Sequence, residues 1–300
     1  MRYPILQRLS LLLFALLLVL TACGKAAASA DSNNTVTDTL INKSEMTQID
    51  TTSAKVRIQT TLGTFTVLLY GDTPRHRDNF LKLAREGFYD STLFHRVISN
   101  FMIQTGDPDS KHAAPGQRLG AGDPGYTLEA EINFPRHFHK RGALAAARQG
   151  DQVNPQRRSS GSQFYVVTGE KVSPAQMAQL RTHLKNNQLQ ATFNGLAAAH
   201  FDEIRQLQMA GDNAGLETLR QRLIAETESI VAKHPMEITP EMEQAYTTVG
   251  GASHLDGQYT VFGEVIDGMD VIDKIEHVDT DAADRPLQDV RIISMTVLDD

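Results

Sequence analysis

What most constrains the fold is a series of short apolar segments, each bounded by Gly, Pro, Asn or Asp, that begins at Ala54 and is interrupted once by a long helical pattern. Residues 56–62 and 65–70 alternate or run apolar on either side of Gly63, which predicts a strand, a tight turn and a second strand. Asp72-Thr73-Pro74 then opens a segment in which Phe80, Leu81, Leu83 and Ala84 recur at helical spacing, ending near Gly87. Further β-like pieces are expected at 92–97, 101–105, 126–132, 142–147 and 163–168. Many short strands separated by turn residues are best satisfied by a closed antiparallel β structure, which leaves no open sheet edge.

Residues 171–250 break this texture. Ser173-Pro174 with Gln176 has the form of a capping box with Pro at the first helical position, and Met177, Leu180 and Leu184 follow on one face. Phe193, Leu196, Phe201 and Ile204 continue the helical spacing, as do Leu216, Leu219, Leu223 and Ile230 up to His234-Pro235; Thr239-Pro240 begins a further short helix. This stretch reads as a helical insertion whose leucine stripes bury against neighbouring helices or the β structure, with a partner-binding face as the alternative. After Gly250-Gly251 the β texture returns at 259–265, followed by a helix around 269–275 and a last strand at 290–297.

The first two dozen residues form a separate object. Arg2 and Arg8 precede an apolar run over 9–20, broken only by Ser10, which ends at Leu20-Thr21-Ala22-Cys23-Gly24. A basic region, a short apolar region and a small-residue zone make a signal peptide, and the run is too short to span a bilayer comfortably. Leu-Thr-Ala-Cys resembles the bacterial lipobox, and the chain's one cysteine, Cys23, falls at the position that would be lipidated. The competing reading is an ordinary signal peptide with a chance cysteine near its end. The expected organisation is therefore a leader over 1–22, a flexible tether over 23–53 and a folded domain over 54–300, anchored to a bacterial cell-envelope membrane, with the outer membrane or periplasmic face favoured. A net charge of −7 gives no support to a nucleic-acid groove. With one cysteine, no intrachain disulfide can form.

The stretch Phe94-His95-Arg96-Val97-Ile98-Ser99-Asn100-Phe101-Met102-Ile103-Gln104-Thr105-Gly106-Asp107 resembles the signature segment of cyclophilins. Gly125 to Glu131, Gly161-Ser162-Gln163-Phe164-Tyr165-Val166 and Leu255 to Gly263 are similar to further segments of that family, in the same order. The resemblance implies a mainly β protein: a closed eight-stranded antiparallel barrel capped by two helices, with the α-helical insertion added, and a peptidyl-prolyl cis/trans isomerase activity assisting the folding of exported or envelope proteins. Carried over by residue, it makes Arg96 the catalytic arginine and Phe101, Met102, Tyr165 and Leu255 the walls of a proline pocket. Gln104, Gln163 and the Ala147-Arg148 backbone would hold the substrate chain, and His254 and Tyr259 would complete the binding set. Proline-containing polypeptides would be the partners, and no cofactor or metal is implied.

Those residue types suit the chemistry. Rotation about an X-Pro bond breaks no covalent bond, and its barrier of about 18–20 kcal/mol is lost amide resonance. At the top of the barrier the prolyl nitrogen regains a lone pair, so a fixed cationic donor binds that state better than either planar one. Three positions depart from the common pattern: Tyr165 where Phe is usual, His254 where Trp often stands, and Tyr259 where His often stands. Together they are expected to leave the pocket intact but more polar, and His254 is expected to weaken cyclosporin binding. His137 and His139, two apart and so on one face of a strand, with His95 upstream, have the look of a metal site, but no cysteine pair or third spaced carboxylate completes a ligand set. A proline-binding chaperone or scaffold that depends little on Arg96 is the alternative from another functional class.

Overall fold

In the computed structural model of the chain, residues 52–298 are described; the leader, Cys23 and the tether as far as residue 51 lie outside them. In chain order come β1 (Ala54–Thr60), β2 (Gly63–Leu69), α1 (Pro74–Arg85), β3 (Arg96–Ile98), β4 (Met102–Thr105), β5 (Thr127–Leu128), β6 (Ala143–Ala146), β7 (Ser159–Ser160) and β8 (Phe164–Val167). Helices α2 (Pro174–Ala199), α3 (Phe201–Ala210), α4 (Asn213–Lys233) and α5 (Pro240–Thr248) follow, then β9 (Val261–Asp267), α6 (Met269–Glu276) and β10 (Ile292–Leu298). The described residues fall into two compact units: a larger one of 52–180 with 238–298, and a helical one of 181–237 whose limits lie inside the 171–250 segment.

The larger unit is built on an eight-stranded sheet in the order β10-β1-β2-β9-β6-β8-β4-β3, every ladder antiparallel. The expected closed barrel is not what forms, because no ladder joins β3 to β10. The reason lies in the segment before β3. Ser91 adopts a left-handed backbone (φ 69°), and only Leu93 bridges Arg291, supported by Phe94 N–H to Val290 O at 2.9 Å and Ile292 N–H to Thr92 O at 2.9 Å. The outer edge of β3 is met instead by a turn, with Val97 N–H donating to Asp284 O at 2.8 Å. The strand expected at 126–132 shrinks to β5, which pairs with β7 in a separate two-stranded sheet.

Alternation along the strands sorts the side chains. Val56, Ile58, Phe65, Val67, Ile103, Leu144, Phe164 and Val166 join one buried cluster with Phe80, Leu81, Leu83 and Ala84 of α1 and Val271, Ile272 and Ile275 of α6. Phe80 lies 5.1–5.7 Å, centroid to centroid, from Tyr89, Phe164 and Phe262. Burying one such ring contributes about 1.5–3 kcal/mol. Gly63 makes the β1–β2 turn with φ 138°, and a Cβ there would sit 2.7 Å from Val271, so both backbone and packing require glycine.

Helix α1 begins without a local cap: Thr73 makes no side-chain bond to the first turn. Glu131, far along the chain, takes that role. Its carboxylate accepts from Arg75 N–H at 3.1 Å, from His76 N–H at 3.0 Å and from the His76 ring Nδ1 at 2.6 Å. A carboxylate at a helix N-terminus satisfies orphan donors and meets the positive end of the helix dipole.

The helical unit has its own core of Leu189, Phe193, Ala197, Ile204, Leu219, Leu223 and Val231. Its leucine stripe is thus buried within the chain. Phe201 departs from the expected pattern and is exposed, because α2 stops at Ala199 and a new helix starts in different phase.

Burial opposes the charge on Glu131, but the bonds from the His76 ring and from the Arg75 and His76 N–H groups win and hold its carboxyl below the ordinary range. A carboxylate whose folded-state value is depressed stabilises the fold above its unfolded value, and that contribution is lost as pH falls through the folded value. Denaturant titrations of the parent and of Glu131→Gln should therefore differ at neutral pH and converge as the pH drops into the acid range below about 4.

Candidate active site

Three neighbouring ladders place the groove residues in a single row. Arg96 of β3 is directly opposite Gln104 of β4, Gln104 is opposite Tyr165 of β8, and Tyr165 is opposite Ala145 of β6. Directly opposed residues project from the same face, here the one turned away from the Phe80 core. That face carries a second buried cluster of Met102, Ala143, Ala145, Tyr165, Val167, Ala252 and Val261, with Phe101, Ala147, Leu255 and Tyr259 packed against it.

Within this cluster lies a cavity of about 110 Å³ lined by Arg96, Phe101, Met102, Gln104, Ala147, Arg148, Tyr165, Leu255 and Tyr259. That is the liquid volume of about three or four waters, enough for one small ring. A neighbouring cavity of about 330 Å³ shares Gln104, Ala147 and Arg148 and adds Gln163. His254 stays outside both linings; it is exposed and its ring lies 5.1 Å from that of Phe101. Arg96 is about half exposed, with Nε 3.6 Å from Asp284 Oδ2. Such a solvated pair is worth little as stability and leaves the guanidinium at the cavity edge.

Each wall is held by bonds the motifs do not reveal. The turn before Phe101 is fixed by Asn100, whose left-handed backbone (φ 59°) turns its N–H to Glu276 Oε1 at 2.6 Å. Glu276, buried at the end of α6, also accepts from Arg141 Nη2 at 3.0 Å, while Arg141 further bonds Asp273 and the Thr168 carbonyl. Gln163 accepts from Gln104 Nε2 at 3.0 Å and donates to the carbonyls of Gly122 at 2.7 Å and Gly120 at 3.2 Å. Asp107 shapes that loop by accepting from Gly120 N–H at 2.5 Å. Gly106 lets it pass: with φ 88°, a Cβ there would lie 2.3 Å from Ser162 O.

Ala147 N–H already donates to Gln163 O at 3.0 Å, and its carbonyl accepts from Ser160 N–H at 2.8 Å. What Ala147 still offers a peptide is the second lone pair of that carbonyl. Arg148 contributes its side chain as well as its backbone: its guanidinium lies 4.4 Å over the Tyr259 ring and bonds Gln258 O at 3.0 Å and Asp151 Oδ1 at 2.6 Å. A stacked, bonded arginine is a rigid wall rather than a solvated rim charge.

The expected polarity at Tyr165 is not found. Its hydroxyl lies 3.0 Å from His139 Nε2, so the oxygen is engaged in a buried bond and the ring lines the cavity. His139 Nδ1 meets Asp256 Oδ1 at 3.0 Å, and Tyr246 donates its hydroxyl to Asp256 Oδ2 at 2.6 Å. Burial first, then Tyr259 and Asp256, hold the Tyr165 hydroxyl well above its ordinary range. Burial, then Asp256, does the same to Tyr246. Both phenols therefore keep their protons. His137, two residues from His139, goes instead to Asp72 at 2.7 Å.

A curled antiparallel sheet whose outer face carries a cavity walled by Phe101, Met102, Tyr165, Leu255 and Tyr259, with a cation at the rim and the Gln104 amide beside it, suits a protein that grips a polypeptide segment. The comparisons give that class a family. The model for "Cyclophilin type peptidyl-prolyl cis-trans isomerase/CLD" matches residues 55–228 and 230–297. A Streptococcus pyogenes serotype M6 protein named as a bifunctional phosphatase/peptidyl-prolyl cis-trans isomerase is 31% identical over 252 residues, covering 83% of this chain but 39% of its own length. The Arabidopsis thaliana peptidyl-prolyl cis-trans isomerase CYP18-2 is 26% identical over 246 residues, covering 82% of this chain and 94% of its own. A solved Cryptosporidium parvum cyclophilin type isomerase aligns over 83% of this chain and 99% of its own at 20% identity, with a TM-score of 0.48. The chain belongs to the cyclophilin-type peptidyl-prolyl cis/trans isomerase family.

Gln163→Leu removes the side chain that joins Gln104 to the Gly120 and Gly122 carbonyls, leaving the half-buried Gln104 amide and Gly122 carbonyl without these partners. It should destabilise the fold by about 1–3 kcal/mol, read as a lower midpoint in urea with an unchanged slope.

Proposed function

We propose that Arg96 accelerates X-Pro isomerisation by donating to the prolyl nitrogen in the twisted state, with the proline ring seated among Phe101, Met102, Tyr165, Leu255 and Tyr259. The observation that carries this reading is the cross-strand row Arg96–Gln104–Tyr165, which brings a cation, an amide and an aromatic wall to one cavity. The nine residues around the cavity include no thiol, carboxylate or imidazole, which suits a reaction in which no bond to the enzyme forms. Gln104, which lines both cavities, would hold the peptide beside the proline, with Gln163 fixing its amide. The ring is fixed while the acyl part turns, and the guanidinium stabilises the lone pair only in the twisted state.

The substrates are proline-containing segments of exported or envelope proteins. This rests on the leader and on Cys23 at its lipobox position, which would carry a lipid anchor. Uncatalysed isomerisation takes tens to hundreds of seconds, slow enough to limit folding outside the cytoplasm. His254 in place of a tryptophan supports weak cyclosporin binding, since an exposed imidazole offers less apolar area than an indole.

Cis/trans exchange on an Ala-Pro peptide, measured by NMR with the full-length chain, tests the catalytic role. Arg96→Ala should lower kcat/KM by about a hundredfold or more, the usual loss on removing a transition-state donor, while peptide binding persists. A parent that binds the peptide without accelerating exchange would make the groove a recognition module. Cys23→Ser should move the protein from the membrane to the soluble fraction in bacterial fractionation; unchanged partition would overturn the anchor.

A further inference from the structure

Beneath the cavity runs a chain of four buried polar side chains, Tyr165, His139, Asp256 and Tyr246; the groove motifs contain Tyr165 and Asp256 but not His139 or Tyr246. Their contacts admit a self-consistent proton arrangement. Tyr246 donates to Asp256 Oδ2, His139 donates from Nδ1 to Asp256 Oδ1, and Tyr165 donates to His139 Nε2, at 2.6, 3.0 and 3.0 Å. Every acceptor in the series has its donor when His139 is taken as the Nδ1–H tautomer.

We propose that His139 and Asp256 are positioning residues for the proline pocket, holding the Tyr165, Leu255 and Tyr259 walls in one arrangement. The inference rests on the reading of the cavity as a proline pocket. His139 grips the far side of that pocket three times over. Its carbonyl accepts from Ala252 N–H at 2.8 Å, its own N–H donates to Asp256 Oδ1 at 2.9 Å, and its ring makes the Nδ1 bond. Together these fasten the turn that carries Leu255. The same ring stacks on Tyr165 at 6.1 Å and 12° and meets Tyr259 edge-on at 6.3 Å, so one imidazole touches both aromatic walls.

Burial raises the stakes of the arrangement. The His139 and Asp256 side chains are 1% and 0% exposed, so a partner lost here is not replaced by bulk water. Tyr165 is matched to this site: a phenylalanine would fill the same wall but leave His139 Nε2 without its donor. Tyr246 extends the hold to α5. Its ring packs edge-on against Phe138 at 5.5 Å, and a Cβ on Gly251 would come within 2.6 Å of it, so the Gly250-Gly251 corner wraps the ring closely. The position of the Leu255 turn is thereby tied to a helix that contributes nothing to the cavity lining.

The test measures kcat and KM for Ala-Pro exchange, with melting temperatures, on full-length parent, His139→Leu, Tyr165→Phe, their double variant and Tyr246→Phe. A positioning role predicts a rise in KM of about tenfold for His139→Leu that shrinks to a few-fold in the Tyr165→Phe background, because contacting residues couple. Tyr246→Phe, which touches neither substrate nor cavity, should lower the melting temperature, because Asp256 Oδ2 loses its donor, and should still raise KM about threefold when assayed well below that temperature. If His139→Leu does not fold, Tyr246→Phe decides. Unchanged KM in folded Tyr246→Phe and His139→Leu, or full additivity of the latter with Tyr165→Phe, overturns the inference alone. A parent that neither binds the peptide nor accelerates exchange overturns the pocket reading, and the inference with it.

Discussion

Because opposed residues on antiparallel strands share a face, the pairings of Arg96 with Gln104, Gln104 with Tyr165, and Tyr165 with Ala145 decide two things together. They send Ile103, Leu144, Phe164 and Val166 into the core shared with α1 and α6, and they bring the cation, the amide and the aromatic wall to the opposite face. A slip of one residue in any of these ladders would exchange the faces. The groove is thus a by-product of the register that packs the core, so core and site stand or fall together.

Strands this short cannot by themselves hold the loops between them, and buried carboxylates take on that work. Glu131 closes the start of α1, Asp107 gathers the 107–122 loop, Glu276 fixes the Asn100 turn, and Asp256 fastens the Leu255 turn. In each case the acceptor is ionisable and the donors include backbone N–H groups, the geometry in which a hydrogen bond is strongest. The partners are distant in the chain, from 13 residues between Asp107 and Gly120 to 176 between Asn100 and Glu276. They order the loops that line the cavity without adding covalent cross-links.

This division of labour suits an isomerase. Rotation about an amide needs no nucleophile and no proton donor that leaves its site; it needs an apolar seat, a cation within reach of the prolyl nitrogen and walls that do not yield as the peptide turns. The cation at the rim is solvated and lightly held by Asp284, while the walls are anchored in depth, Tyr165 through His139 and Arg148 through Tyr259 and Gln258. Rigidity is concentrated where the ring would sit.

Much of this was legible in the linear chain, and the remainder was not for a definite reason. Local rules located the Gly63 turn, the α1 face, the α6 helix, the capping box of Ser173 and Gln176 and the helical stretch, since each depends on residues a few positions apart. The ordered motifs named the cavity residues Arg96, Phe101, Met102, Gln104, Tyr165, Leu255 and Tyr259. What escaped was whatever joins distant segments: Glu131 as the cap of α1, the open ladder between β3 and β10, Ala147 spending its N–H on Gln163, and the fate of the Tyr165 hydroxyl. A tyrosine in a pocket motif reads as added polarity until the fold supplies His139 to absorb it. The sequence by itself determined which segments become strands and helices and which residue types the groove contains, because propensity and periodicity act locally. Only the tertiary structure decided which polar groups are spent on one another and which remain for a substrate, because that depends on partners brought together by folding.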